Sequence, residues 1–168
     1  MAELTSLEKL QPCLLDRLTD DEPSSQVESR DKRVFSVRQL RQAVLRDLVW
    51  LLNAPNKDRT GEFEDFPEVA KSVLNFGIPE LAGISSENAK GDLDRIVRDA
   101  IRAFEPRVLP ASLRVTPPKE HGRYAPGNAL VLEIVGEMWA QPIPDPLFVK
   151  TQVDLETGRC ELKERPGG

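Results

Sequence analysis

The stretch Asp92 to Arg107, DLDRIVRDAIRAFEPR, limits most strongly what this chain can become. Leu93, Ile96, Val97, Ala100, Ile101 and Phe104 recur at helical spacing, which lays one apolar stripe along a helix. Arg95, Arg98, Asp99 and Arg102 take the opposite face. Pro106 then stops the helix, because its ring has no N–H to donate and biases Glu105 toward an extended backbone. An apolar, strand-like segment, Val108 to Val115, follows at once. The acid Glu105 and the base Arg107 therefore stand at a helix-to-strand corner beside the core, where each charge needs a partner or water.

The rest of the chain sorts around that corner. Leu7, Leu10, Leu14, Leu15 and Leu18 are spaced for a short amphipathic helix, and the polar stretch Asp20 to Arg33 reads as a flexible linker. Residues 1–34 thus form an N-terminal element whose apolar stripe suits either the core or a partner. Ser36 and Gln39 make a capping-box signature. It opens a helix with Val37, Leu40, Val44, Leu48, Leu51 and Leu52 on its buried face. Val49 and Trp50 lie beside that face, while Arg38, Arg41, Arg46 and Asp47 look outward. Asn53-Ala54-Pro55 ends it. Pro67 opens a shorter helix whose apolar side is Val69, Val73, Leu74 and Phe76, and Gly77 suits its C-terminal cap. Ser85 or Ser86 caps the central helix.

After Arg107 the period becomes 2. Thr116 to Asn128 is rich in proline and glycine and reads as a loop. Ala129 to Ala140 reads as a long strand. Leu147, Val149, Thr151, Val153 and Leu155 alternate with Phe148, Lys150, Gln152 and Asp154 in a second strand. A turn at Glu156 to Arg159 returns the chain as Cys160 to Glu164, and residues 165–168 form a disordered tail. Helices followed by antiparallel strands predict one α+β domain over residues 35–164, with the N-terminal helices packed on one face of a small sheet. Phe148 to Leu155 and Cys160 to Glu164 are each candidates for an edge, which is a template for another chain's strand.

Composition removes several function classes. A net charge of −5 argues against a nucleic-acid partner. No apolar run approaches the roughly 20 residues of a membrane span, and the N-terminus shows no secretory signal. Cys13 and Cys160 match no metal or redox spacing. His121 is the single histidine and reads as a solvated loop residue. No cofactor or metal site is expected. A glycosidase needs two carboxyl groups across the scissile bond, one of them held protonated. Glu105 with Glu133 or Glu137 is the only candidate set, and Arg107 close by works against a protonated Glu105. The other reading is a binding module, in which Glu105 and Arg107 either lock the corner as an ion pair or anchor a partner.

Four blocks carry a resemblance: LLDRLTDDEP (Leu14 to Pro23), ESRDKRVFSVRQLRQAVLRDLVWLLN (Glu28 to Asn53), FPEVAKSVLNFGIPELAG (Phe66 to Gly83) and AFEPR (Ala103 to Arg107). Together they resemble the TssE family of type VI secretion baseplate proteins, which is similar to the lysozyme-like wedge protein of contractile phage tails. Phe76 and Ile78 depart mildly, standing where tyrosine and leucine are common in the family. The resemblance implies a cytoplasmic structural protein, docked at the inner membrane through the secretion apparatus. It would sit with TssF, TssG and TssK and connect the baseplate to the TssB/TssC sheath. It also implies a fold similar to the sheath's strand-exchange domain, so that sheath strands add to an edge of the sheet. The partner-binding residues expected on this basis are Glu105, Pro106 and Arg107, with Phe148, Lys150, Gln152 and Asp154 on the candidate edge. Arg107→Ala is then expected to leave the domain folded and to stop sheath assembly. The alternative, peptidoglycan cleavage through Glu105, has little support from the residues.

Overall fold

A computed structural model describes residues 10, 12–20, 23–24, 35–58, 61–81, 86–118, 124–125, 129–140 and 143–164. Leu7, Ser85, His121, most of the linker and the 165–168 tail lie outside the described residues.

The capping box forms as expected. The Gln39 N–H donates to Ser36 Oγ, and the Ser36 N–H donates to Gln39 Oε1 at 2.9 Å. It starts α2, Val37–Asn53, which buries Leu40, Ala43, Val44, Leu48, Leu51 and Leu52. Val37 stays exposed, because the first turn precedes the sheet-covered part of the helix. The central helix, α4, runs Ser86–Phe104 and buries Leu93, Val97, Ala100 and Ile101.

Two apolar stripes behave differently from their spacing. The N-terminal leucines form only a short α1, Leu14–Leu18. Leu14 and Leu18 are 70% and 73% exposed, while Leu10 precedes the helix and sits in the core. Its carbonyl accepts the Phe35 N–H at 2.8 Å, tying the segment before α1 to the start of α2. Likewise α3 is a single turn, Pro67–Ala70, followed by a 3-10 turn at Val73–Asn75. Val73 and Leu74 are exposed, and only Phe76 reaches the core, edge-on to Phe104. The reason is Asn75. Its buried Oδ1 accepts the Lys57 and Asp58 N–H groups, and its Nδ2 donates to the Ala70 carbonyl. That side chain is buried at this turn, whereas Leu74 is exposed. Gly77 follows at φ +123°, where a Cβ would lie 2.1 Å from the Ala54 carbonyl oxygen. Only glycine permits that approach, which lets Ile78 bridge Pro55.

The strands are β1, Arg114–Thr116; β2, Tyr124–Ala125; β3, Ala129–Met138; β4, Asp145–Asp154; and β5, Cys160–Glu164. All pairs are antiparallel in the order β1-β3-β4-β5, with β2 also on β3. The small strand β2 falls inside a stretch expected to be loop. Its pairing with Ala129 and Leu130 overrides the local turn chemistry. Leu130, Leu132 and Ile134 lie opposite Val153, Thr151 and Val149 on the inner face. These residues join α2 and α4 in a single core. α2 contacts β5 and α4 contacts β1, and the architecture is α+β. No helix among the described residues is long and apolar enough to cross a membrane.

Candidate functional site

The α4 helix closes with the Glu105 N–H donating to Ile101 O, and Pro106 then forces the chain outward. The corner is clipped to the end of β3, where Trp139 N–H donates to Arg107 O at 2.7 Å and Leu109 N–H to Glu137 O at 2.8 Å. Glu105 is 3% exposed. Its Oε1 accepts from Arg107 Nε at 2.7 Å and from the Arg107 N–H at 3.1 Å, and its Oε2 accepts from Arg107 Nη2 at 2.5 Å. In this forked pair Glu105 and Arg107 bond each other, as the locking reading of the corner expects. A planar guanidinium meeting a carboxylate through two parallel bonds is the strongest geometry such a pair has.

The pair does not stand alone. Arg107 Nη2 also donates to Asp47 Oδ2 at 2.5 Å. Asp47 Oδ1 accepts from Arg46 Nε at 2.8 Å, and Arg46 Nη1 reaches Asp16 Oδ1 at 2.5 Å. Cys13 Sγ donates to Asp16 Oδ2 at 2.9 Å. A continuous polar chain thus runs from the α4 corner across α2 to α1. Burial pulls the Arg107 guanidinium down, but its bonds to Glu105 and Asp47 outweigh that and hold it above the ordinary arginine value. Arg46 is raised chiefly by its bond to Asp47, then by Asp16. For Asp16, burial pushes the carboxyl up, yet the bonds from Arg46 and Cys13 win and hold it below the usual carboxylate value.

Three of the α2 charges expected to face water, Arg41, Arg46 and Asp47, are therefore fasteners, while Arg38 is exposed. Arg41 bonds Asp145, the Pro146 carbonyl and Glu164, and so fixes the start of β4 and the end of β5 near the helix. Arg46 also lies over the Trp50 ring. The sequence did carry a signal for Asp47. It stands three residues after Val44 and four before Leu51, on the flank of the buried stripe.

β4 is interior, paired with β3 on one side and β5 on the other. Phe148, Lys150, Gln152 and Asp154 therefore cannot serve as an edge, and what they present is side chains. Asp154 is in addition committed to the β4–β5 turn, its Oδ1 accepting the Glu156 and Thr157 N–H groups. Lys150 lies opposite Glu133 on the sheet face away from the helices. Glu133 and Glu137 share that face, whereas both Glu105 oxygens are taken by Arg107. The acids that a glycosidase would need are not brought together as a facing pair.

Among the described residues the sheet ends at β1 on one side and at β5 on the other. Asp154 N–H donates to the Arg159 carbonyl, closing the hairpin. Cys160, next along, turns its backbone the other way. Its N–H donates to Asn53 Oδ1 at 3.0 Å, and its carbonyl accepts from Asn53 Nδ2 at 2.9 Å. Antiparallel alternation then points the N–H and C=O of Leu162 and Glu164 outward as well. No further strand pairs with β5 among the described residues. Beside this margin is an open groove of about 550 Å³ lined by Val49, Trp50, Asn53, Arg159, Glu161 and Leu162.

The profile of the family described as baseplate wedge protein gp25 matches residues 38–143. That span runs from the first turn of α2 to the approach to β4 and includes the whole Glu105–Arg107 corner. No curated protein and no solved structure matches the chain.

Proposed function

This chain belongs to the baseplate wedge protein gp25 family, and from that premise we propose that it is the wedge subunit of a type VI secretion baseplate, of the TssE kind. In this reading it works in the bacterial cytoplasm beside TssF, TssG and TssK. It gives the first ring of the TssB/TssC sheath a strand to pair with, so the role is structural and no bond is made or broken.

The observation that carries the templating step is the uncovered margin of β5. Backbone N–H and C=O groups facing outward from Leu162 and Glu164 fit the addition of an extended segment, in which main-chain bonds supply the affinity. The Glu105–Arg107 corner acts behind it. It locks α4 against the end of β3 and, through Asp47, against α2, and so keeps the sheet and its helical layer in one geometry. Both Glu105 oxygens already accept from Arg107, so the structural role is preferred over hydrolysis.

Leu162→Pro tests this directly. Proline is tolerated where an edge N–H faces solvent, so the fold is expected to persist. The outward N–H at that position is lost. Sheath foci on baseplates carrying this change are expected to disappear while the protein still folds and melts cooperatively, at a temperature lowered by the lost contact of Leu162 with the core. Normal sheath assembly on such baseplates would rule out templating through β5.

A further inference from the structure

The least expected feature of the β5 margin is Asn53. A side-chain amide sets an acceptor and a donor in one plane, as a peptide group does, and has a second N–H besides. Asn53 sets both against the backbone of Cys160, accepting its N–H and donating to its carbonyl. It also donates to the Val49 carbonyl one helical turn back, which holds the amide in place. The end of α2 thus pairs with the first edge position of β5 as a further strand would.

The sequence of β5, Cys-Glu-Leu-Lys-Glu, is suited to pairing with itself. A second copy running antiparallel and centred on Leu162 would set Glu161 opposite Lys163 on both sides of the centre. Opposite charges in directly facing positions stabilise such a pairing. The same register would set Cys160 opposite Glu164, and the Cys160 backbone is already taken by Asn53. Only the Leu162 pair would remain to bond. An exposed edge with complementary charges is a liability that folded proteins must manage.

We propose that Asn53 guards the β5 edge: by occupying the edge hydrogen bonds of Cys160 it prevents two copies of this chain from pairing and restricts an added strand to a register that begins at Leu162. The suppression of self-pairing is independent of the baseplate reading. The register clause rests on that reading.

The test uses the full chain. In sedimentation experiments the wild type is expected to remain monomeric, whereas Asn53→Ala is expected to self-associate at least tenfold more tightly. Adding Lys163→Glu to Asn53→Ala should restore the monomer, since Glu161 would then face a like charge. That second change does not threaten the fold, because Lys163 now lies opposite Lys150, another lysine. Equal association of the wild type and Asn53→Ala would overturn the guard. So would dimers that survive Lys163→Glu. Amide hydrogen exchange on the wild type gives a reading that needs no variant: the Cys160 N–H should be protected and the Leu162 N–H should exchange quickly. Fast exchange at Cys160 would also overturn the proposal. A failure here leaves sheath assembly on Leu162→Pro baseplates as an unaffected measure of templating.

Discussion

Arg107 is the residue whose loss should be felt most. Removing one partner of a buried ion pair leaves the other charge uncompensated, which typically costs about 3–5 kcal/mol. Solvent reaches the Arg107 side chain in part, so Arg107→Ala should fall near the low end, about 3 kcal/mol in a denaturant titration. This revises the expectation that the change would spare the fold. The double variant Glu105→Gln, Arg107→Ala should recover much of the loss, because the orphaned charge is gone. If the double variant is as unstable as the single one, the cost lies elsewhere than in the stranded carboxylate. Thr151 makes the opposite case. It is fully buried on the inner face of β4, and its hydroxyl meets no hydrogen-bond partner among the described residues. Thr151→Val keeps the shape and removes that polar atom, so it should raise stability by about 1 kcal/mol, read as a shift of the denaturation midpoint.

Among the elements, α1 is held in an unusual way. It buries none of its own residues, and the tie seen from it to α2 is polar, Asp16 to Arg46, with the helix's own N-cap Cys13 bonding Asp16 locally. Such an element should come and go with the charge on Asp16. The folded Asp16 carboxyl titrates below its unfolded value, so its contribution is complete above about pH 4 and is lost as pH falls through the lower, folded value. NMR of the α1 amides between pH 7 and pH 3 should show them moving toward random-coil positions while those of α2 stay fixed. Asp16→Asn should give the detached spectrum already at pH 7. If the α1 signals move only when α2 unfolds, the polar latch is not what holds the helix.

For the whole molecule, the two cysteines report whether the sheet and helices open together. Cys160 is buried between β5 and α2, and burial pushes its thiol up to about 11. A neutral thiol is favoured in the folded state, so this contribution is full below the unfolded value near pH 8.5 and fades as pH rises toward 11. At pH 8 an alkylating reagent should modify Cys13, which is half-buried, and reach Cys160 only in denaturant. Mass spectrometry would resolve the two. Equal labelling of both in the native protein would mean that β5 lifts from α2 without global unfolding.

Local pattern determined a good deal. The apolar stripes of α2 and α4, the Ser36 cap, the stop at Pro106 and the inward set of β3 and β4 were all legible, because helix and strand periods are written within a few residues of each other. The α+β class follows from their order. The tertiary structure alone decided that β4 is interior and β5 marginal, that Glu105 bonds Arg107, and that Asp47 and Asn53 take part. Asp47 meets a partner 60 residues away and Asn53 one 107 residues away. A polar residue on a helix flank reads as solvent-facing until the chain is folded. Only the packing of α2 against the α4 corner and the β5 edge turns it into a fastener.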